Sequence, residues 1–196
     1  MLFRSIATFG LSTGVASAAE GDATSGAIDV VATSGNVTLT TVTSGDATVA
    51  GNGTATSGAI TLTASGANGT LTLDDALTGV ASVGATGSAT SGAITLLADG
   101  DVTVNASLET GTADTVDGDA TSGLVSVTSS NGSVAMSAAT VMTGDATVTG
   151  NGTATSGAIT LTAERNVDSD ALSTGVASAA EGDATSGAID VVATSG

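Results

Sequence analysis

Residues 56–64 read Thr-Ser-Gly-Ala-Ile-Thr-Leu-Thr-Ala, and this short segment holds the architecture in miniature. After the tripeptide TSG, aliphatic and hydroxyl side chains alternate. A period of two puts Ile60 and Leu62 on one face of a strand and Thr61 and Thr63 on the other. TSG followed by an apolar pair occurs six times, closing at Gly26, Gly58, Gly92, Gly123, Gly157 and Gly187, so the steps are 32, 34, 31, 34 and 30 residues. Units of this size stack on copies of themselves, because one unit alone cannot bury its apolar face.

Aligning the six copies predicts an inward double column of Ile28 and Val30, Ile60 and Leu62, Ile94 and Leu96, Val125 and Val127, Ile159 and Leu161, and Ile189 and Val191. The outward column is Asp29, Thr61, Thr95, Ser126, Thr160 and Asp190. Stacked at about 4.8 Å, each aliphatic residue meets its own kind, and a one-residue slip would expose the whole column. A second strand follows in four units, as NVTLT, GTLTLD, DVTVN and SVAMS, with Val37 and Leu39, Leu71 and Leu73, Val102 and Val104, and Val134 and Met136 pointing one way. A weaker third strand is suggested at Asp46 to Val49 and at Asp145 to Val148. Gly, Asn, Asp and Ser fill the turns between, where tight or left-handed corners are needed. The fold expected is therefore all-β: a parallel β-helix, or β-solenoid, of about six coils of ~32 residues. It forms one array over residues 1–196, with units starting near 21, 53, 87, 118, 152 and 182.

Longer identities support the alignment. Gly51 to Ala64 repeats at Gly150 to Ala163, and Leu11 to Gly35 repeats at Leu172 to Gly196, an offset of 161 that also places Arg4 on Arg165. The segment around Ala16, Ser17 and Ala18 has the form of an export-signal cleavage site. VASAAEGDA nevertheless recurs at Val176 to Ala184, so a repeat with that look is the better reading, and the chain is expected to be a slice of a longer array.

Composition agrees. With 2 Phe and no Trp or Tyr, an ordinary globular core has little to fill it, and without Pro every backbone N–H is free to join a ladder. The absence of Cys and His excludes disulfides, thiolate or imidazole zinc sites and imidazole acid–base chemistry. A formal charge of −17 repels nucleic acid and anionic membrane, and no run approaches the ~18 apolar residues of a spanning helix.

The strings at Gly58 to Thr78 and Gly21 to Val42 resemble the repeat regions of filamentous haemagglutinin-like adhesins and related bacterial exoproteins. The resemblance covers essentially the whole chain in pattern and composition. It implies a right-handed coil, export to the bacterial cell surface or extracellular matrix, and a role in attachment or biofilm. The expected function is that of a non-catalytic structural segment, a shaft or stalk, with host or matrix glycans or proteins as partners of the whole. Isolated end coils would stack end to end through their unpaired edges.

Acidic pairs at Asp74 and Asp75, Asp99 and Asp101, Asp117 and Asp119, and Asp168 and Asp170 offer oxygen ligands, and Asp99, Asp101, Asp117 and Asp119 are the candidates for Ca²⁺. None lies in a calcium-binding nonapeptide, so solvated turns are the simpler reading and no cofactor is expected. A polysaccharide-active β-helix would need nonrepeating carboxylates and aromatic platforms. Asn36, Asn52, Asn68, Asn105, Asn131 and Asn151 sit in N-x-S/T, which a turn Asn before a Thr-rich strand produces by itself. Thr38 with Thr40, Thr61 with Thr63, Thr70 with Thr72, and Thr160 with Thr162 could form a flat hydroxyl face of the glycan- or ice-binding kind, though Asp29, Ser126 and Asp190 interrupt it.

Overall fold

A computed structural model describes residues 5–195; Arg4 lies outside them. Among the described residues there is no helix, and the chain winds through six coils. The first coil is β1 (Ile6–Ser12), β2 (Ala16–Ala18), β3 (Gly21–Thr24) and β4 (Ile28–Ala32). The second is β5 (Val37–Thr43), β6 (Ala47–Val49), β7 (Gly53–Thr56) and β8 (Ile60–Ala64), and the third is β9 (Leu71–Leu77), β10 (Ala81–Thr90) and β11 (Ile94–Ala98). The fourth is β12 (Val102–Glu109), β13 (Ala113–Thr121) and β14 (Val125–Ser129), and the fifth is β15 (Val134–Met142), β16 (Ala146–Thr155) and β17 (Ile159–Ala163). The last is β18 (Val167–Ser173), β19 (Ala177–Glu181), β20 (Ala184–Thr185) and β21 (Ile189–Ala193).

Three parallel sheets result, one per side of the coil. The first side is β1-β5-β9-β12-β15-β18 and the third is β4-β8-β11-β14-β17-β21. The second side holds β2, β3, β6, β7, β10, β13, β16, β19 and β20. In the third sheet Ile28, Ile60, Ile94, Val125, Ile159 and Ile189 pair in unbroken register, as the alignment predicts. Ile60, Leu62, Ile94, Leu96, Val125, Val127, Ile159 and Leu161 are fully buried. Ile189 and Val191 keep the register but are each 46% exposed, because among the described residues no strand lies beyond β21. Unequal coil lengths are absorbed by register shifts on the outer surface, as between Val83 and Thr86 and between Met136 and Thr140.

Two features differ from the sequence reading. The weak third strand is present in every coil, and its second half is the run that leads into each TSG. Its inward residues are mostly alanines, which give little hydrophobic period to detect. The interior is also not one aliphatic tube. Ile, Val, Leu and Met from the first and third sides form one cluster, and Ala23, Ala47, Val49, Ala55, Ala81 and their equivalents form another along the second side.

A seam of buried hydroxyls lies between the two clusters. Ser25, Ser57, Ser91, Ser122 and Ser156 occupy one corner column, and Ser44, Thr78, Thr110 and Thr143 the other, each at most 5% exposed. Each hydroxyl oxygen accepts the N–H of the glycine one coil on, as from Gly92 to Ser57 at 2.8 Å and from Gly111 to Thr78 at 2.9 Å. Many also donate across the interior to a glycine carbonyl of the opposite corner: Ser57 to Gly79 at 2.6 Å, Thr78 to Gly92 at 2.8 Å, Thr110 to Gly123 at 2.9 Å. Burying these hydroxyls is tolerable because they are paired, and among the described residues no buried side-chain polar atom lacks a partner.

Candidate functional site

With the interior filled, any binding chemistry must lie on the outer faces and corners. Seven of the carboxylates, Glu20, Asp46, Asp99, Asp101, Asp117, Asp119 and Asp145, accept a backbone N–H of a neighbouring coil. Asp99 accepts the Asn68 N–H at 2.7 Å with one oxygen and the Asn131 side-chain amide at 2.7 Å with the other, clasping three coils at one corner. Asp101 accepts the Ser133 N–H at 2.8 Å. On the second side Asp117 and Asp119 accept from Asn151 and Thr153 at 2.9 and 3.3 Å. The four Ca²⁺ candidates thus sit at two separate corners, each directed at its own N–H. Among the described residues no group of three or more carboxylates converges.

The same pattern extends beyond the candidates. Asp46 accepts the Val80 N–H at 2.9 Å, Asp145 the Val176 N–H at 2.7 Å and Glu20 the Asn52 N–H at 2.8 Å. Asp74 and Asp75 instead accept from the side chains of Asn105 and Ser107. Asp168 belongs to β18 and lies over Ala135, with Asp170 two residues on. Two of the N-x-S/T asparagines also act as clasps, Asn36 accepting from Thr70 at 3.0 Å and Asn52 from Thr86 at 3.2 Å. Asn68 takes the left-handed conformation (φ 57°) that its turn requires.

Charge spacing follows a rule the linear sequence hides. At the paired positions of the three sheets no carboxylate lies directly over another: Asp29 faces Thr61, Asp119 lies between Ser88 and Thr153, Asp114 between Ser82 and Thr147, and Asp190 faces Thr160. Like charges at one rung's separation are destabilising, so a neutral rung in each column lets a strongly acidic chain stack.

The corner acids therefore act on stability. Replacing Asp46 by alanine should cost about 0.5–1 kcal/mol in denaturant unfolding, whereas Asp46→Asn, which keeps the acceptor, should cost little. An equal cost for both variants would show that charge, and not the clasp, is what matters.

The hydroxyl faces divide differently from the sequence reading. Thr61, Thr63, Thr160 and Thr162 do lie outward on the third side, but Leu97, Ser126 and the aspartates break their columns. On the second side an uninterrupted outward column of six exists: Thr24, Thr56, Thr90, Thr121, Thr155 and Thr185, paired rung to rung. It comes from ATSG, present in all six coils; in the first five Ala packs inward, Ser joins the seam, Gly turns the corner and Thr faces outward, while in the last coil Ala184 and Ser186 are exposed. The signal was legible as the tetrapeptide. A shallow groove on the first side, lined by Ala7, Thr8, Phe9, Thr38, Leu39 and Thr40, carries no titratable group.

No protein-family model, no curated protein and no solved structure matches this chain.

Proposed function

We propose that this β-solenoid is a non-catalytic structural segment, a stiff shaft of a large secreted bacterial surface or matrix adhesin of the filamentous haemagglutinin-like kind. The observation that carries the reading is where the polar groups go. Corner carboxylates and buried hydroxyls are mostly committed to joining one coil to the next, so the chemistry of the chain is directed at its own continuation. A partner for such a segment would be bound elsewhere in the parent protein, with host or matrix glycans or proteins as the class.

The modular reading makes a direct prediction. Removing one whole coil, Ile60 to Ala93, brings Ile94 onto the Ile28 column and Val102 onto the Val37 column. The remaining five coils should fold with an unchanged β circular-dichroism spectrum and a lower unfolding midpoint, as expected of nearest-neighbour stacking. In the parent protein the deletion should shorten reach without altering what is bound. Hydrolysis of a polysaccharide by the purified chain, abolished by one carboxylate substitution, would overturn the shaft reading.

A second reading has one specific support, the unbroken threonine column of the second side. It would make that face a glycan-binding surface. Binding to a glycan array that disappears when Thr56, Thr90 and Thr121 are changed to valine, with the fold intact, would favour it over the shaft.

A further inference from the structure

The three sides of the coil carry very unequal charge. Along the second to fifth coils the strands of the third side, β8, β11, β14 and β17, hold only Ala, Ile, Leu, Val, Ser and Thr. Every carboxylate between Val37 and Ala163 lies elsewhere: Asp74, Asp75 and Glu109 on the first side, Asp114, Asp117 and Asp119 on the second, and the rest at corners. Asp29 on β4 and Asp190 on β21 bound the charge-free stretch. Within it the outward surface is low and small, with Thr95 between Thr61 and Ser126 in one column. Two residues stand above the rest. Leu97, between Thr63 and Thr128, is 39% exposed, and Leu124, which takes the place of Ala93 and Ala158 just before the strands, is 45% exposed.

We propose that this third side is a lateral docking face for a second copy of the chain, the two coils lying side by side with these sheets face to face. The occupant follows from charge and from shape. At a net charge of −17, two copies repel wherever their acidic sides or corners meet, and among the described residues of the second to fifth coils this is the one side free of carboxylates. Sheets that pack about 10 Å apart need their large side chains to fall on small ones. A two-fold pair meets that need in either direction. With the coil axes parallel, Leu97 of one copy faces Ala93 of the other and Leu124 faces Thr128; with the axes antiparallel and the dyad between the third and fourth coils, Leu97 faces Thr128 and Leu124 faces Ala93. No leucine meets a leucine.

A sugar is the poorer occupant, because these strands offer no aromatic ring, amide or carboxylate to orient one. The size of the patch sets the strength of the contact. Rungs at about 4.8 Å and residues at about 3.3 Å give a charge-free area of about 300 Å² per copy. A stable complex buries about 800 Å² per partner, so the dimer is weak and reversible and forms only at high protein concentration. This inference rests on the placement of charge and stands apart from the adhesin reading.

The test is sedimentation equilibrium over a concentration series reaching the millimolar range, at about 0.5 M salt to screen the net repulsion. The natural chain should dimerise reversibly. Thr95→Asp puts at the centre of the face a residue that its column already carries at Asp29 and Asp190, so the fold is kept. It should weaken dimerisation roughly tenfold or more, since the new charge is brought against the partner sheet. Thr48→Asp adds the same charge to the second side, between Ser17 and Ser82, and should leave dimerisation within about twofold of the natural chain. Leu97→Thr, which removes the protruding side chain, should weaken it about threefold to tenfold. Circular dichroism should show the same β spectrum for all three variants. A natural chain that stays monomeric throughout overturns the proposal. So does equal behaviour of Thr95→Asp and Thr48→Asp, which would point to end-to-end stacking, or glycan-array binding that Thr95→Asp abolishes while no dimer forms.

Discussion

Gly79→Ala is expected to destabilise the chain by about 3 kcal/mol or more, while Gly14→Ala, at the equivalent position of the first coil, is expected to change stability by less than about 0.5 kcal/mol. The two glycines have the same neighbours in sequence type and differ only in what lies beneath them. A Cβ on Gly79 would fall on the carbonyl of Gly45, a backbone group in the preceding coil that cannot swing aside, whereas no atom lies within 4 Å of a Cβ on Gly14. Gly79 is held in place from both sides, its N–H donating to Ser44 at 3.1 Å and its carbonyl accepting from Ser57 at 2.6 Å. Relief by backbone shift would therefore break seam bonds, and relief by tilting the coil would open the packed columns on either side. Circular-dichroism denaturation of the two variants checks this, the comparison being of midpoints because a stacked array need not unfold in one step. Equal effects at Gly79 and Gly14 would mean that the coils do not sit this closely.

That contrast also shows what could and could not be read from residues alone. The third side was legible because Ile60, Ile94 and Ile159 alternate with hydroxyl residues, and large side chains at period two leave little choice of face. The first side was legible at Val37, Leu71, Val102 and Val134 for the same reason, and the structure adds Ile6 and Val167 to that column. The second side was nearly silent, since Ala55, Ala89 and Ala154 are fully buried residues that look like turn filler in a chain rich in Ala, Gly and Thr. The seam was missed for a different reason. Ser before Gly is an ordinary turn signal, and only the recurrence of a second Ser-Gly or Thr-Gly column, at Gly45, Gly79, Gly111 and Gly144, distinguishes a buried pair of hydroxyl columns from solvated corners. The clasping acids escaped too, because an aspartate that accepts an N–H about 32 residues on has no local mark, as at Asp101 with Ser133.

Thr78→Val should cost about 2–5 kcal/mol despite conserving shape, and Thr78→Ser should cost about 1 kcal/mol or less. Thr78 is 1% exposed, and its hydroxyl donates to the Gly92 carbonyl at 2.8 Å and accepts the Gly111 N–H at 2.9 Å. Valine fills the space but leaves two backbone groups without partners in the interior, each worth roughly 1–3 kcal/mol when buried unpaired. Serine restores both bonds and loses one methyl, a change the column already accommodates at Ser44. Hydrogen exchange at the Gly111 amide should quicken in the valine variant and recover in the serine one, a readout that mere loss of packing would not produce. The seam also predicts coupling. The Gly92 N–H donates to Ser57 and the Gly92 carbonyl accepts from Thr78, so Ser57→Ala and Thr78→Val strip the same glycine from opposite sides. Once one bond is gone Gly92 can relax, and the second substitution should then cost less than it does alone. A double variant whose cost equals the sum of the singles would mean that the two corner columns act independently, and that the interior is two cores side by side with no shared seam.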